Sequence, residues 1–377
     1  MVTDWNQIAF ERIAAAGGTP EARPGPSNLV DAAAVQLAVY DAVQSYSMEY
    51  RPYLSAIPNA TGSVEAAAAT AARDVLTARF PLQETTITGI WENYMASHSL
   101  ALDDPGCAVG AQAAHNLNIN RLGDGFMPPQ PWELFFGNNA DGQWRSAAPM
   151  AAVWLADVRP FAVASADQFM PPPPPSLTSQ RYLRDLEEVR LYGRATDSKR
   201  SEAQTQAAIF WNLAYQPVFA RMVRELSMAH LADISQSSKL LAATSVSAAD
   251  ALITTWHAKK YYNYWRPSTH IQMSDSTWTP LLSNPPYQDY PSGANTLTAS
   301  VARSAAHFFG TNEMAIEIKK SDTDVAVFGK FSDVCAAVVD ARVWEGIHFR
   351  FADDAARRVG ERVATWVHSH YFRPWME

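Results

Sequence analysis

Alanine-rich stretches with apolar residues at helical spacing recur along most of the chain, and this periodicity constrains the fold more than any other feature. The run from Asn28 to Tyr46, "NLVDAAAVQLAVYDAVQSY", is one such stretch, with Asp31 near its start. Another, "SVEAAAATAARDVLTARF", opens on Ser63-Val64-Glu65, which suits a helix N-terminus, and stops before Pro81. Similar patterns continue through "RYLRDLEEVRLYG", "PVFARMVRELSMAHLA" and "DDAARRVGERVATWVHSHY". Alternation suited to strands is confined to weak candidates such as "AAVWLADVRPFAV". The expectation is an all-α protein built as helical bundles.

Two irregular stretches interrupt the helices. Gly123 to Arg145 is rich in Gly, Pro and aromatic residues, and "MPPPPPSLTS" from Met170 to Ser179 is a stiff polyproline piece. They suggest an N-terminal helical half over 1–165, a Pro-rich linker over 166–180 and a C-terminal helical half over 181–377. With 377 residues, 47% of them apolar, the chain can bury a large core. Its balance of 30 basic against 38 acidic residues, a formal −8, argues against nucleic acid and anionic membranes as partners. No apolar run reaches the roughly 18 residues of a membrane span. The first residues lack the pattern of a signal peptide, although a trimmed leader is left open, as are the compartment and homo-oligomerisation. Cys107 and Cys335 sit in Ala/Val-rich surroundings and read as inert buried thiols.

Against this acidic background, three segments gather positive charge and a histidine. In "TWHAKKYYNYWRPSTHI", Lys259 and Arg266 are seven residues apart. On one continuous helix they would share a face about 10 Å apart, with Trp256 beside them. Taken alone, the pair reads equally as an exposed basic patch. In "YPSGANTLTAS", Ser292 and Gly293 open a small-residue helix, either as a plain N-cap or as the mouth of an anion cradle. In "ARVWEGIHFRFADD", Arg342 and His348 would point roughly 240° apart on a straight helix. Gly346 between them predicts a helix end that turns His348 back toward Arg342.

The order K-x6-RP, PSG, R-x5-HF resembles the signature of the vanadium-dependent haloperoxidases and their relatives, the type 2 phosphatidic acid phosphatases and bacterial acid phosphatases. The start "WNQIAFERI", the segment "YDAVQSY…YRPYL", the linker "FMPPPPPSLTS" and "AAIFWN" extend the resemblance over nearly the whole chain. It implies a double helical bundle and a vanadate cofactor, with phosphate or sulfate able to occupy the same site. Lys259, Arg266 and Arg342 would bind the oxyanion, Ser292 and Gly293 would complete the cradle, and His348 would be the axial metal ligand. Hydrogen peroxide, halide and an organic acceptor would be the small-molecule substrates, with Trp256 and Tyr287 walling the halide pocket. The alternatives are a phosphohydrolase working through phospho-His348 and a non-catalytic oxyanion-binding homologue.

Two positions depart from that pattern. Ala341 stands where the family usually has serine, and Ala294 stands where it has the histidine that moves protons. Without a placed acid–base, turnover loses a factor of roughly 10²–10⁴ while the anion site survives. The sequence leaves open whether a substitution removed that histidine or the natural protein is a weak or repurposed member. His270 is a candidate stand-in, whereas His257 points about 200° away from Lys259 on a helix. Asp353 or Asp354 is expected to orient an arginine or His348.

Overall fold

A computed structural model describes residues 1–127 and 132–375, so Pro128 to Pro131 of the irregular Gly123–Arg145 stretch lie outside the described residues. Among the described residues the chain is helical apart from one two-stranded sheet. The helices are α1 (Val2–Ala15), α2 (Asn28–Ser47), α3 (Val64–Arg79), α4 (Glu84–Ser97), α5 (Pro105–Asn120), α6 (Gln180–Tyr192) and α7 (Glu202–Trp211). They continue with α8 (Tyr215–His230), α9 (Ile234–Tyr262), α10 (Pro267–Ser274), α11 (Gly293–Phe309), α12 (Phe331–Trp344) and α13 (Arg350–His370).

Two compact units are present, one made of residues 1–124, 220–249 and 366–377 and the other of 125–219 and 250–365. Helices α8, α9 and α13 contribute residues to both. In the first unit α2 is buried on every side from Leu29 to Ser45, as expected of a helix apolar all round. Its buried acids need partners: Asp31 pairs with Arg23 and Arg79, and Asp41 accepts the N–H groups of Tyr53 and Leu54. The caps are the ones the sequence offers. Ser63 accepts from Glu65 N and Ala66 N at the start of α3, and Asp104 with Pro105 starts α5.

In the second unit the polyproline stretch lies over aromatic side chains. Polyproline carbonyls have no partners within their own helix, and here three of them accept tyrosine hydroxyls. Tyr262 donates to Pro171, Tyr290 to Pro172 and Tyr264 to Pro175. Those rings belong to, or pack on, a buried cluster with Tyr182, Trp265, Phe349 and Phe351. Helices α11 and α13 approach closely at Gly360, where an added Cβ would meet Thr296 O at 2.4 Å and Ser300 N at 2.7 Å.

The strand expectation is corrected at two places. "AAVWLADVRPFAV" forms a short 3-10 helix, Val153–Asp157, followed by a loop. Asp250 captures that loop by accepting the N–H groups of Phe161, Ala162 and Val163 at 2.7, 2.7 and 3.0 Å, so they are not free for a ladder. A hairpin forms instead at β1 (Glu313–Lys319) and β2 (Val325–Lys330), antiparallel, with Ile316 and Ile318 buried. Replacing Asp250 with Asn leaves a single acceptor oxygen and turns an amide donor on the three N–H groups. Urea unfolding should register a loss of about 1–3 kcal/mol; an unchanged midpoint would mean that other contacts hold the loop.

Candidate functional site

The three sequence segments converge in the second unit, although not by the helical spacing expected of the first. Helix α9 ends at Tyr262, and Asn263 follows with φ of 45°, a left-handed residue that stops the helix. Lys259 therefore sits in the last turn of α9, while Arg266 lies in extended backbone just before Pro267 and α10. The two cations meet through the loop at 287–289 rather than through a shared helix face. Lys259 Nζ donates to Gln288 O at 2.5 Å and Asp289 O at 3.1 Å. Arg266 Nε donates to Tyr287 O at 3.1 Å, and its Nη1 donates to Ile347 O at 2.7 Å.

The third segment turns at Gly346, but the cation it sets against His348 is Arg266 rather than the Arg342 expected from the sequence. Helix α12 stops at Trp344, and Gly346 adopts φ of 82° where an added Cβ would meet Gly193 O at 2.2 Å. This position therefore demands glycine twice over, for its backbone and for its neighbour. Beyond the turn His348 comes back to Arg266, with Nε2 3.2 Å from Nη1. Its Nδ1 is 2.6 Å from Asp289 Oδ1. A guanidinium can only donate, so Nε2 is the acceptor and Nδ1 carries the proton toward Asp289.

The second segment begins α11. Ser292 is the N-cap residue, yet its side chain does not cap the helix. Its N–H is tied to Ala352 O at 3.2 Å, and its Oγ is 3.4 Å from Asn295 Nδ2. The first-turn N–H groups beginning with Gly293 are thus left without the usual serine cap. Trp256 packs on Gly293, where an added Cβ would lie 3.2 Å from its ring, and stands 5.2 Å from Tyr287 between ring centroids. Lys259 Nζ and Arg266 Cζ lie 5.1 and 5.2 Å from the Tyr287 ring.

Burial decides the electrostatics. Lys259, Arg266, Ser292, Arg342 and His348 are between 0% and 8% exposed, while Ala294 and Tyr287 are partly exposed at the edge. Burial, with Arg266, Arg342 and Lys259 around it, holds His348 well below the usual imidazole value, so it is neutral. Burial together with Arg266 likewise depresses Lys259. Burial works most strongly against the Arg342 charge, but Glu345, with Oε2 2.6 Å from Nη1, together with Tyr215, Tyr287 and Asp353 raises that group overall.

Three carboxyls share the pocket. Burial pushes Asp289 and Glu345 each up to about 7 against their cations. It also raises Asp353 well above the carboxylate range, with Asp289 adding to the effect. Of the two aspartates expected to orient the site, only Asp353 faces it. Its Oδ1 accepts from Asn295 Nδ2 at 2.8 Å, while Asp354 pairs with Arg181 at 3.1 Å on the surface. The carboxylate that orients His348 is Asp289, which the sequence reading passed over although it lies three residues before Ser292.

Glu345 and Tyr215 were missed as well. Glu345 follows Arg342 at i+3 and was legible as a helical pair. Tyr215, 5.8 Å from Arg342 Cζ, arrives from α8 with no local signal. The proposed stand-in His270 is engaged elsewhere: Nδ1 is 2.6 Å from the Tyr182 hydroxyl, and the ring packs on Trp265. His257 Nδ1 is 3.2 Å from Ala156 O. Cys335 is buried with its thiol pushed up to about 12 by desolvation, and Cys107 is partly buried; both are free.

No helix among the described residues is long and apolar enough to cross a membrane, and none of their His, Cys, Asp and Glu form a group of three that could hold a metal ion. Residues 239–274 and 271–377 match the family model of the VCPO second helical-bundle domain. Among curated proteins there is no significant match. Among solved structures, the crystal structure of the first bacterial vanadium-dependent iodoperoxidase superposes with a TM-score of 0.84 at 20% identity, over 99% of this chain and 96% of that one. A holo-type bacterial vanadium-dependent chloroperoxidase gives 0.73 at 18% identity, over 96% of each chain. An apo-type one gives 0.72 at 16%, over 92% and 93%. The helical fold is thus shared with these bacterial vanadium-dependent peroxidases, and the C-terminal part of the chain carries the match to the VCPO second helical-bundle domain.

Proposed function

We propose that the protein is a vanadate-dependent, haloperoxidase-like enzyme that oxidises halide with hydrogen peroxide and passes the oxidised halogen to an organic acceptor, with turnover restricted by Ala294. One observation carries the reading. Asp289 accepts a hydrogen bond from His348 Nδ1, so Nε2 is the unprotonated nitrogen; it faces Arg266 Nη1, which would yield it to a bound metal, among buried cations that are themselves incompletely satisfied. Arg266 Nη2 and Arg342 Nε are buried without a hydrogen-bond partner. Buried donors without partners are costly, and an oxyanion is the ligand that would relieve them.

These residues fit vanadate. Lys259, Arg266 and Arg342 would hold its oxygens, the Ser292 hydroxyl and Gly293 N–H would complete the cradle, and His348 Nε2 would be the protein ligand to the metal. When bound, the vanadium supplies Lewis-acid activation of hydrogen peroxide without changing its oxidation state. The chain's part is to neutralise the oxyanion's charge of about −2 to −3, to fix the imidazole tautomer through Asp289, and to keep water out with Trp256 and Tyr287. What the cradle lacks is a proton carrier at 294.

The deciding assay is oxidation of a phenolic dye with peroxide and bromide or iodide, with and without vanadate. His348→Ala should abolish the vanadate-dependent rate; full halide oxidation in that variant would sink the assignment. Hydrolysis of a phosphate ester through a trapped phosphohistidine, with no halide oxidation, would move the phosphohydrolase branch ahead.

Because its folded value is depressed, His348 should stay neutral as the pH is lowered through the free-imidazole value of about 6.5. Histidine nitrogen shifts in NMR report this directly, and a His348 signal titrating near the free value would mean that the pocket is wet and its cations distant.

Ala294 sits at the partly exposed edge of the cradle, one residue past the fully buried Ser292-Gly293 pair. Ala294→His should raise vanadate-dependent turnover by roughly 10–10⁴-fold, the usual worth of a placed acid–base. It should also add a pH limb belonging to the new imidazole. Identical rates and pH profiles in the two forms would show that proton transfer does not pass through this position.

A further inference from the structure

The carboxyl of Glu345 belongs to none of the three sequence motifs, and the function proposed above gives it no task. It is the C-cap residue of α12, completely buried, with Oε2 2.6 Å from Arg342 Nη1. Despite that contact, neither of its oxygens accepts a hydrogen bond. A buried carboxylate ordinarily collects several donors, as Asp250 does elsewhere in this unit. Glu345 has a charge partner and little else. The charged and titratable groups facing it are Arg342 on its own helix, Arg266 ahead of α10, and Tyr215 at the start of α8. The Tyr215 hydroxyl is also buried without a hydrogen-bond partner.

An oxyanion reaching Arg342 therefore meets a guanidinium that already has an anion on one side, while Nε on the same group remains unsatisfied. Two anions on one guanidinium in a dry pocket repel each other strongly. Expelling Glu345 is blocked by its burial at a helix end whose next residue, Gly346, is wedged against Gly193. Taking up a proton from solvent removes the repulsion without moving anything.

We propose that Glu345 is an internal counter-anion for Arg342, and that a tetrahedral dianion binds only together with a proton placed on the Glu345 carboxyl. The proposal rests on the reading of this pocket as an oxyanion site. It makes the pocket self-neutralised while empty and gives it a preference for oxyanions at acid to neutral pH. Burial pushes the Glu345 carboxyl up to about 7 before any ligand arrives, and a bound anion raises it further. The sign follows: below about pH 7 the group is already protonated and binding is indifferent to it. Above pH 7 each oxyanion takes up a proton, and affinity falls by about tenfold per pH unit. Asp289, Asp353 and His348 add their own titration, so the share of Glu345 is the difference that its replacement makes.

Sulfate is the probe, because it remains a dianion throughout this range and any proton taken up belongs to the protein. Titration calorimetry of the full chain at about pH 8, in two buffers of different ionisation heat, counts the protons bound per sulfate. Glu345→Gln should bind about one proton fewer and hold sulfate roughly tenfold tighter at that pH. The same affinity and proton count in both forms, with binding that still depends on Arg342, would overturn the role of Glu345 and leave the proposed function standing. Absence of sulfate and vanadate binding from either form would overturn both. Should the variant fail to fold, infrared spectra of the unaltered chain with 13C-labelled glutamate carry the test. A protonated glutamate carbonyl band must appear on adding sulfate, and its absence defeats the proposal.

Discussion

Three full-length cationic side chains taken out of water are the constraint around which the second unit is organised. An isolated buried charge costs several kcal/mol even after relaxation, and Lys259, Arg266 and Arg342 lie within electrostatic reach of one another. Helices cannot supply the remedy from their middles, because their carbonyls are already committed to the helix. The free carbonyls come from irregular backbone: Tyr287, Gln288 and Asp289 before α11, and Ile347 after α12. That is why the site gathers helix ends and turns, and why Asn263 and Gly346 have to stop their helices where they do. The Pro-rich stretch follows the same logic elsewhere in this unit, lending carbonyls to tyrosines that belong to or pack on the aromatic cluster with Phe349 and Phe351.

What was legible in the sequence was whatever is written locally. Helical periodicity, the cap at Ser63 and the glycine that ends α12 act within a few residues, and the structure places each of them as read. The Lys259–Arg266 pair was read with the right partners and the wrong geometry. Seven residues fit two helical turns, but the left-handed Asn263 breaks the helix and the loop at 287–289 does the gathering. The hairpin at 313–330 escaped notice because its alternation is short and laced with charge, with only Ile316 and Ile318 reaching full burial. Asp289, Glu345 and Tyr215 escaped for a different reason. Each matters only as a counterpart to a cation delivered from elsewhere, and attention to positive charge alone hides the groups that make it tolerable.

The carboxyls bear on what the missing histidine means. A bare cradle of three cations would attract any oxyanion and hold it whether or not protons could be moved. Here three buried carboxyls, Asp289, Glu345 and Asp353, share the pocket with Lys259, Arg266 and Arg342, and burial raises all three. Asp289 and Glu345 lie close to neutrality in their titration. The pocket is therefore supplied with proton-carrying groups, although none stands at position 294, on the open edge where peroxide would arrive. Proton storage and proton delivery are separate tasks in such a site. Storage sets how tightly the anion is held, and delivery at the edge sets how quickly an oxygen–oxygen bond can be broken. The absence of a side chain beyond Cβ at 294 removes delivery while leaving storage in place. Under the proposed function, a cradle of this kind would retain its anion and lose most of its speed, and the loss would trace to one position at the rim rather than to the buried cluster.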